Sequence, residues 1–292
     1  MRKLLLQLDS SRLPSVFDQV VAYDAGADEI LSYGGITEAE VRDLIHGCIF
    51  TRGPKDLKNT AVFIGGADMA AGERLLEAAS KAFFGPFTVS LMLDSNGSNT
   101  TAVAAVAKML QAVGDVRGKR AVVVAGTGPV GLRAAGLLAQ AGAEVVITSR
   151  KPEAGERARD LVTKRFGGTV RAATAHDASE AARVLEGAAL VLNAGPAGVM
   201  LVPKSAWEMR PGLQVTADVN AVPPLGIEGI EVMDDGVTKQ GVTCFGALAI
   251  GNLKMKVHKA CIGRLFERND LVLDAETIAD VARDLMAQQS KP

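Results

Sequence analysis

The chain has 292 residues, of which 48% are hydrophobic and 22% charged, a globular composition with room for two domains of ordinary size. Its 32 basic and 33 acidic side chains leave a net charge of -1, which argues against a nucleic-acid or membrane partner held by overall charge. With one Trp and two Tyr, the interleaved aromatics of a base-stacking surface are missing too. The three cysteines Cys48, Cys244 and Cys261 form no CxxC pair or Cys/His cluster, so neither a disulfide scaffold nor a metal site is supported.

The opening Met1-Arg2-Lys3-Leu4 imitates a signal peptide, but Gln7 and Asp9 break the apolar run too early. No stretch has the length of a membrane span, and the expectation is a soluble cytoplasmic protein with reduced thiols. Apolar strands are then predicted at 3–9 (KLLLQLD), 29–33, 61–66 and 87–94, alternating with helices. One helix opens on Thr37-Glu38-Ala39-Glu40, a capping box in which hydroxyl and carboxylate satisfy free amides reciprocally. Another runs from Asp68 to Phe83, after the glycine pair Gly65-Gly66, which reads as a tight strand-to-helix connection. Over 99–113 the spacing places Val103, Val106, Leu110 and Val113 on one helical face, and Gly114 is a stop.

The polar stretch 114–120 (GDVRGKR) reads as a hinge. A second series of strands follows at 121–126, 143–149, 168–174, 188–195, 213–220 and 241–246. Residues 247–288 look helical, with Leu253, Val257, Cys261 and Leu265 on one face and no later strand. The fold class expected is α/β, with two α/β domains. Residues 1–115 form the first, 116–246 a Rossmann-type second, and 247–292 helices that return to the first.

The segment Gly126-Thr127-Gly128-Pro129-Val130-Gly131 follows an all-apolar strand and precedes a helix rich in small residues. In this G-x-G-x-x-G pattern the first glycine permits a tight turn. The second lets a pyrophosphate approach the backbone, and the third lets helix and strand pack closely. The helix N-terminus then offers free N–H groups and partial positive charge to phosphates. The alternative is a purely structural turn.

About twenty residues later a carboxylate would hold the ribose hydroxyls of NAD. Here the strand ends in VITSRKP, with Ser149, Arg150 and Lys151 in a row and no acid before Glu153. A hydroxyl, a guanidinium fork and an ammonium suit the extra 2′-phosphate of NADP, whereas a carboxylate would repel it. The competing reading is a solvated basic loop.

Three further segments carry polar residues near strand ends: PSVFDQVVAYDAG (14–26), MLDSNGSNTTA (92–102), and DVNAVPPLGIEGI (218–230) leading to FGALAIGNLKMKVH (245–258). Together with AGTGPVG they closely resemble the NAD(P)-dependent methylene-tetrahydromethanopterin dehydrogenases of bacterial one-carbon metabolism, nearest the NADP-dependent branch. The resemblance implies oxidation of a methylene bridge to a methenyl group by direct hydride transfer, some members also accepting methylene-tetrahydrofolate. It further implies two α/β domains around a cleft, a tetrahydropterin on the N-terminal side, and a homo-oligomer.

The methenyl product is a delocalised cation, so carboxylates near the bridge would stabilise the transition state. Asp18 and Asp94 lie in matching motifs, and Lys254 ends GALAIGNLK; these are the catalytic candidates. Each also has a structural reading: Asp94 as a cap of the helix at 98–113, Asp18 as a first-turn acid, Lys254 as an exposed helix lysine. Phe17, Asp18, Asp94, Ser98, Thr100, Thr101 and Lys254 are the substrate-side candidates, although Ser98, Thr100 and Thr101 could equally serve as caps. Asn220, before Pro223-Pro224, is a cofactor candidate, and Ala194, Gly195 and Pro196 would border the nicotinamide. His46, His176 and His258 are isolated and read as ordinary residues. The rival functions are a folate-specific dehydrogenase, a quinate/shikimate-type reductase, and a non-catalytic NADP sensor. The folate enzymes' usual Tyr-x-x-x-Lys is absent, since neither Tyr23 nor Tyr33 has Lys four residues later.

Overall fold

The computed structural model describes residues 1–289. In chain order its elements begin with β1 (Leu4–Asp9), α1 (Val16–Asp24), β2 (Glu29–Gly34), α2 (Glu38–Ile49), β3 (Thr60–Gly65), α3 (Met69–Lys81), β4 (Ser90–Leu93) and α4 (Ser98–Val113). Next come β5 (Arg120–Val124), α5 (Pro129–Gln140), β6 (Glu144–Ser149), α6 (Pro152–Phe166), β7 (Thr169–Thr174), α7 (Ala178–Val184), β8 (Leu190–Asn193) and α8 (Lys204–Trp207). The chain continues through β9 (Val215–Asp218), β10 (Asp235–Lys239), β11 (Val242–Phe245), α9 (Ala247–Arg264), β12 (Val272–Leu273) and α10 (Ala275–Gln289). These residues divide into two compact units: Met1–Thr100 with the residues from Met255 onward, and Thr101–Lys254. No helix among the described residues is long and apolar enough to cross a membrane.

The first unit holds a parallel five-stranded sheet in the order β12-β4-β3-β1-β2. The order reverses between β1 and β3, which makes the carboxyl ends at Asp9 and Gly65 the switch point of this sheet. Gly66 turns away at φ +104, and a Cβ there would meet the Ser10 hydroxyl at 2.0 Å, so the connection needs glycine. The capping box expected at Thr37 is present, formed with Glu40, and the structure adds a cap at Asp68, which accepts from the amides of Ala70 and Ala71. Leu6, Leu8, Val62, Ile64, Leu91 and Leu93 bury one face of the sheet against Val41, Ile45, Ile49, Leu75 and Ala79 of α2 and α3.

The C-terminal segment departs from an all-helical expectation. Leu271 accepts the amide of Leu91, the Asn269 amide donates to the carbonyl of Thr88, and β12 adds two residues parallel to β4. So short a strand leaves no periodic trace in sequence.

The second unit holds a seven-stranded sheet, β10-β11-β9-β8-β5-β6-β7, parallel except for β10. Its parallel strands have the Rossmann order, with the reversal between β5 and β8. The β10 hairpin was not foreseen; its residues are almost all exposed, so no apolar alternation announces it. Trp207 is fully enclosed in a core cluster with Val122 of β5, Val191 of β8 and Cys244 of β11, and its indole N–H donates to the carbonyl of Glu228 at 2.9 Å.

Candidate active site

The glycine turn lies at the switch point of the second unit. Gly126 and Gly131 pack so closely that a Cβ on Gly131 would stand 2.5 Å from Gly126 Cα. Gly128 caps α5 with no side-chain acceptor for the helix amides, and a Cβ there would enter open space. Thr127, Pro129 and Val130 are half-buried around it. Close packing at the outer glycines and open space at the middle one are what a pyrophosphate needs to reach backbone N–H groups.

At the carboxyl end of β6, Ser149 is nearly buried and its hydroxyl bonds both to the carbonyl and from the amide of Lys151. It therefore shapes the loop, while Arg150 and Lys151 project into solvent. Two exposed cations where an acid would otherwise stand fit a dinucleotide bearing a 2′-phosphate.

The ends of β8 and β9 are held by a buried polar network that sequence reasoning missed. Asp218, 1% exposed, accepts from Asn193 Nδ2 at 2.8 Å, Asn220 N at 3.0 Å and Ile227 N at 2.8 Å. Asn193 Oδ1 in turn accepts from Gly195 N. Only the polar endings of two apolar strands, Asn193 and Asp218, hinted at this in sequence. Ala194 and Gly195 are half-buried and Pro196 is exposed beside this support. Asn220 itself is inward: its amide donates to the carbonyl of Pro224, and its oxygen accepts from Val222 N and Gly198 N. In this arrangement it braces the loop, because both ends of its side chain are engaged.

In the first unit, Asp94, Ser98 and Thr100 follow β4 and are enclosed. Asp94 accepts from the Thr100 amide at 3.0 Å and hydroxyl at 2.6 Å, so it caps the first turn of α4. The Ser98 hydroxyl donates to Ser95 O at 2.7 Å. Donation of a hydrogen bond to a substrate from Ser98 or Thr100 would require breaking these bonds. Thr101 is half-buried. Asp18, also half-buried, occupies the first turn of α1, its amide held by Ser15 Oγ, and the ring of Phe17 is 50% exposed. Lys254 on α9 is half-buried, and Lys259 pairs with Asp24 at 2.8 Å. His258, which sequence treats as ordinary, is fully enclosed, with Nδ1 4.0 Å from Asp94 Oδ2 and its ring stacked on Phe63.

Residues 16–96 match the family described as methylene-tetrahydromethanopterin dehydrogenase, N-terminal. The chain is 52% identical over 285 residues to the bifunctional protein MdtA of Methylorubrum extorquens, spanning 97% of this chain and 99% of that one. It is 36% identical over 287 residues to the NAD(P)-dependent methylenetetrahydromethanopterin dehydrogenase of the same organism, spanning 94% and 95%. Among solved structures, shikimate 5-dehydrogenase from Listeria monocytogenes, in complex with shikimate and NAD, superposes with a TM-score of 0.55 at 12% identity, over 98% of this chain and 96% of that one. At that identity the likeness is one of fold.

Proposed function

The chain belongs to the methylene-tetrahydromethanopterin dehydrogenase family, and from that premise we propose that it oxidises methylene-tetrahydromethanopterin to the methenyl form by direct hydride transfer to NADP. The observation that carries this reading is similarity along nearly the whole chain to a dehydrogenase named for that pterin. NADP, when bound, supplies the hydride acceptor.

The chain's own residues divide the remaining work. Backbone amides at Gly126–Gly131 and the start of α5 hold the diphosphate, with Gly128 leaving it room. Arg150 and Lys151 clamp the 2′-phosphate, Ser149 shapes their loop, and Ala194, Gly195 and Pro196 border the nicotinamide. Asn220 acts through the loop it braces.

On the pterin side, Phe17 offers an exposed aromatic face, and Thr101 and Lys254 offer polar contacts. Loss of hydride leaves a delocalised cation, which Asp18 stabilises as the half-buried carboxylate. Asp94 contributes negative charge from beneath the surface and orders the start of α4 with Ser98 and Thr100. A protonated Lys254 would oppose the forming cation, so its role is to orient the bridge through a polar contact.

Initial rates of NADPH or NADH formation, with each of methylene-tetrahydromethanopterin and methylene-tetrahydrofolate, test the reading. The expected outcome is fastest turnover with the methanopterin substrate and NADP. No reduction with either pterin, by a protein that still binds NADP, would leave a cofactor sensor and sink the dehydrogenase.

A further inference from the structure

His258 stands apart from the residues assigned so far. It lies on α9, with no exposed surface, and its ring stacks on Phe63 of β3 at 5.5 Å between centroids and 19° between planes. The Phe17 ring of α1 is 6.4 Å away. Its Nδ1 faces Asp94 Oδ2 at 4.0 Å, and neither side chain touches solvent.

A carboxylate withdrawn from water is costly unless charge or hydrogen bonds compensate it. Thr100 supplies Asp94 with two neutral donors, and the imidazole of His258 is a cationisable group at ion-pair distance. Cys261, one turn further along α9, feels the same carboxylate, which adds to burial in pushing its thiol up. The Asp94 carboxylate therefore acts on two successive turns of one face of α9.

That face matters because of what lies one turn the other way. Residues four apart on a helix share a side, so Lys254 and His258 are stacked along α9, which is continuous from Ala247 to Arg264. Fixing the rotation of the helix at 258 fixes the direction in which Lys254 projects. We propose that His258 is a positioning residue: paired with buried Asp94 and stacked on Phe63, it sets the rotation of α9 and so aims Lys254. This rests on the role proposed above for Lys254.

The test is a double-mutant cycle on the full-length protein, read in steady-state kinetics with NADP and methylene-tetrahydromethanopterin. His258→Phe keeps a ring on Phe63 and removes the nitrogen facing Asp94; His258→Gln keeps a polar group and removes the ring. Each is expected to lower kcat by about 10-fold or more, with pterin KM within about 3-fold and NADP affinity unchanged. Placed on Lys254→Ala, the same substitutions should cost less than about 2-fold, because a residue that acts through Lys254 has nothing left to aim.

Equal losses in both backgrounds, or unchanged kcat, would overturn the proposal while leaving Lys254 in its role. Full turnover by Lys254→Ala would remove the role of Lys254, and this inference with it. If neither His258 variant retains NADP binding, His258 is a folding residue and the proposal fails.

Discussion

The hydroxyl of Ser149 donates to the carbonyl oxygen of Lys151 at 2.9 Å and accepts that residue's own amide at 3.1 Å. This closed turn ends β6 and presents Arg150 and Lys151 together on the surface. Charge-assisted bonds to phosphate contribute about 1.5–3 kcal/mol each, so replacing either Arg150 or Lys151 by a neutral residue should raise the NADP KM by roughly 10-fold to 100-fold. The NAD value should move by less than about 2-fold, since NAD has no 2′-phosphate to hold. Ser149→Ala, which only loosens the turn, should fall between. Steady-state kinetics with both cofactors decide it, and an equal loss for both would remove the clamp.

The second and third glycines of the turn should fail in different ways. Gly128→Ala places its methyl in open space at an ordinary backbone conformation, so the thermal midpoint should stay within about 2 °C. NADP affinity should nevertheless fall by about 10-fold or more, because the methyl lies where the diphosphate approaches. Gly131→Ala drives a methyl to 2.5 Å from the Gly126 backbone and should lower the midpoint itself. Thermal melts paired with NADP titration separate the two. A Gly128→Ala protein with native affinity would contradict the phosphate-turn reading.

Asp218 carries three donors that have no water to turn to. Its replacement by Ala leaves Asn193 Nδ2, Asn220 N and Ile227 N without their acceptor, a cost of about 3 kcal/mol. Urea unfolding should register it as a lower midpoint with the slope unchanged. A change under about 1 kcal/mol would mean that the network does not hold the ends of β8 and β9.

The cysteines make the protein sensitive to base. Cys48, Cys244 and Cys261 are all buried free thiols, and burial pushes each one up, Cys48 to about 12. The unfolded thiols ionise near about 8.5, so the folded state keeps protons that the unfolded chain releases. Stability from this source is complete below about pH 8.5 and declines as pH rises toward the folded values. Urea midpoints followed across that range should fall, and less steeply in Cys48→Ala. Below it, alkylation of the native protein should be slow; fast labelling of all three thiols would show that their burial is not maintained.

What was legible in the sequence was local. Thr37 and Asp68 cap helices with atoms two or three residues away, and the glycine turn is defined within six residues, so each could be read from its neighbours. The parallel alternation was legible because these strands are buried runs. β10 was not, being an exposed edge with Val237 as its lone apolar residue, and two-residue β12 was too short. The polar candidates diverged for another reason. Ser98, Thr100 and Asn220 have the chemistry of ligand contacts, but whether a hydroxyl or amide faces outward is settled by packing from distant segments. His258 shows the converse, since Phe63 and Asp94 reach it only through the folded sheet.

The division of the chain bears on how it is made. The second unit is complete once Lys254 has been synthesised, whereas the first still lacks α10, most of the final turns of α9, and the strand that covers the edge of β4. On a ribosome, the later-encoded dinucleotide-type unit can therefore close first. The N-terminal sheet waits with β4 unpaired on one side, an open edge of the kind that invites pairing with other chains. That edge stands open over all nascent-chain lengths between release of Leu93 and release of Leu273.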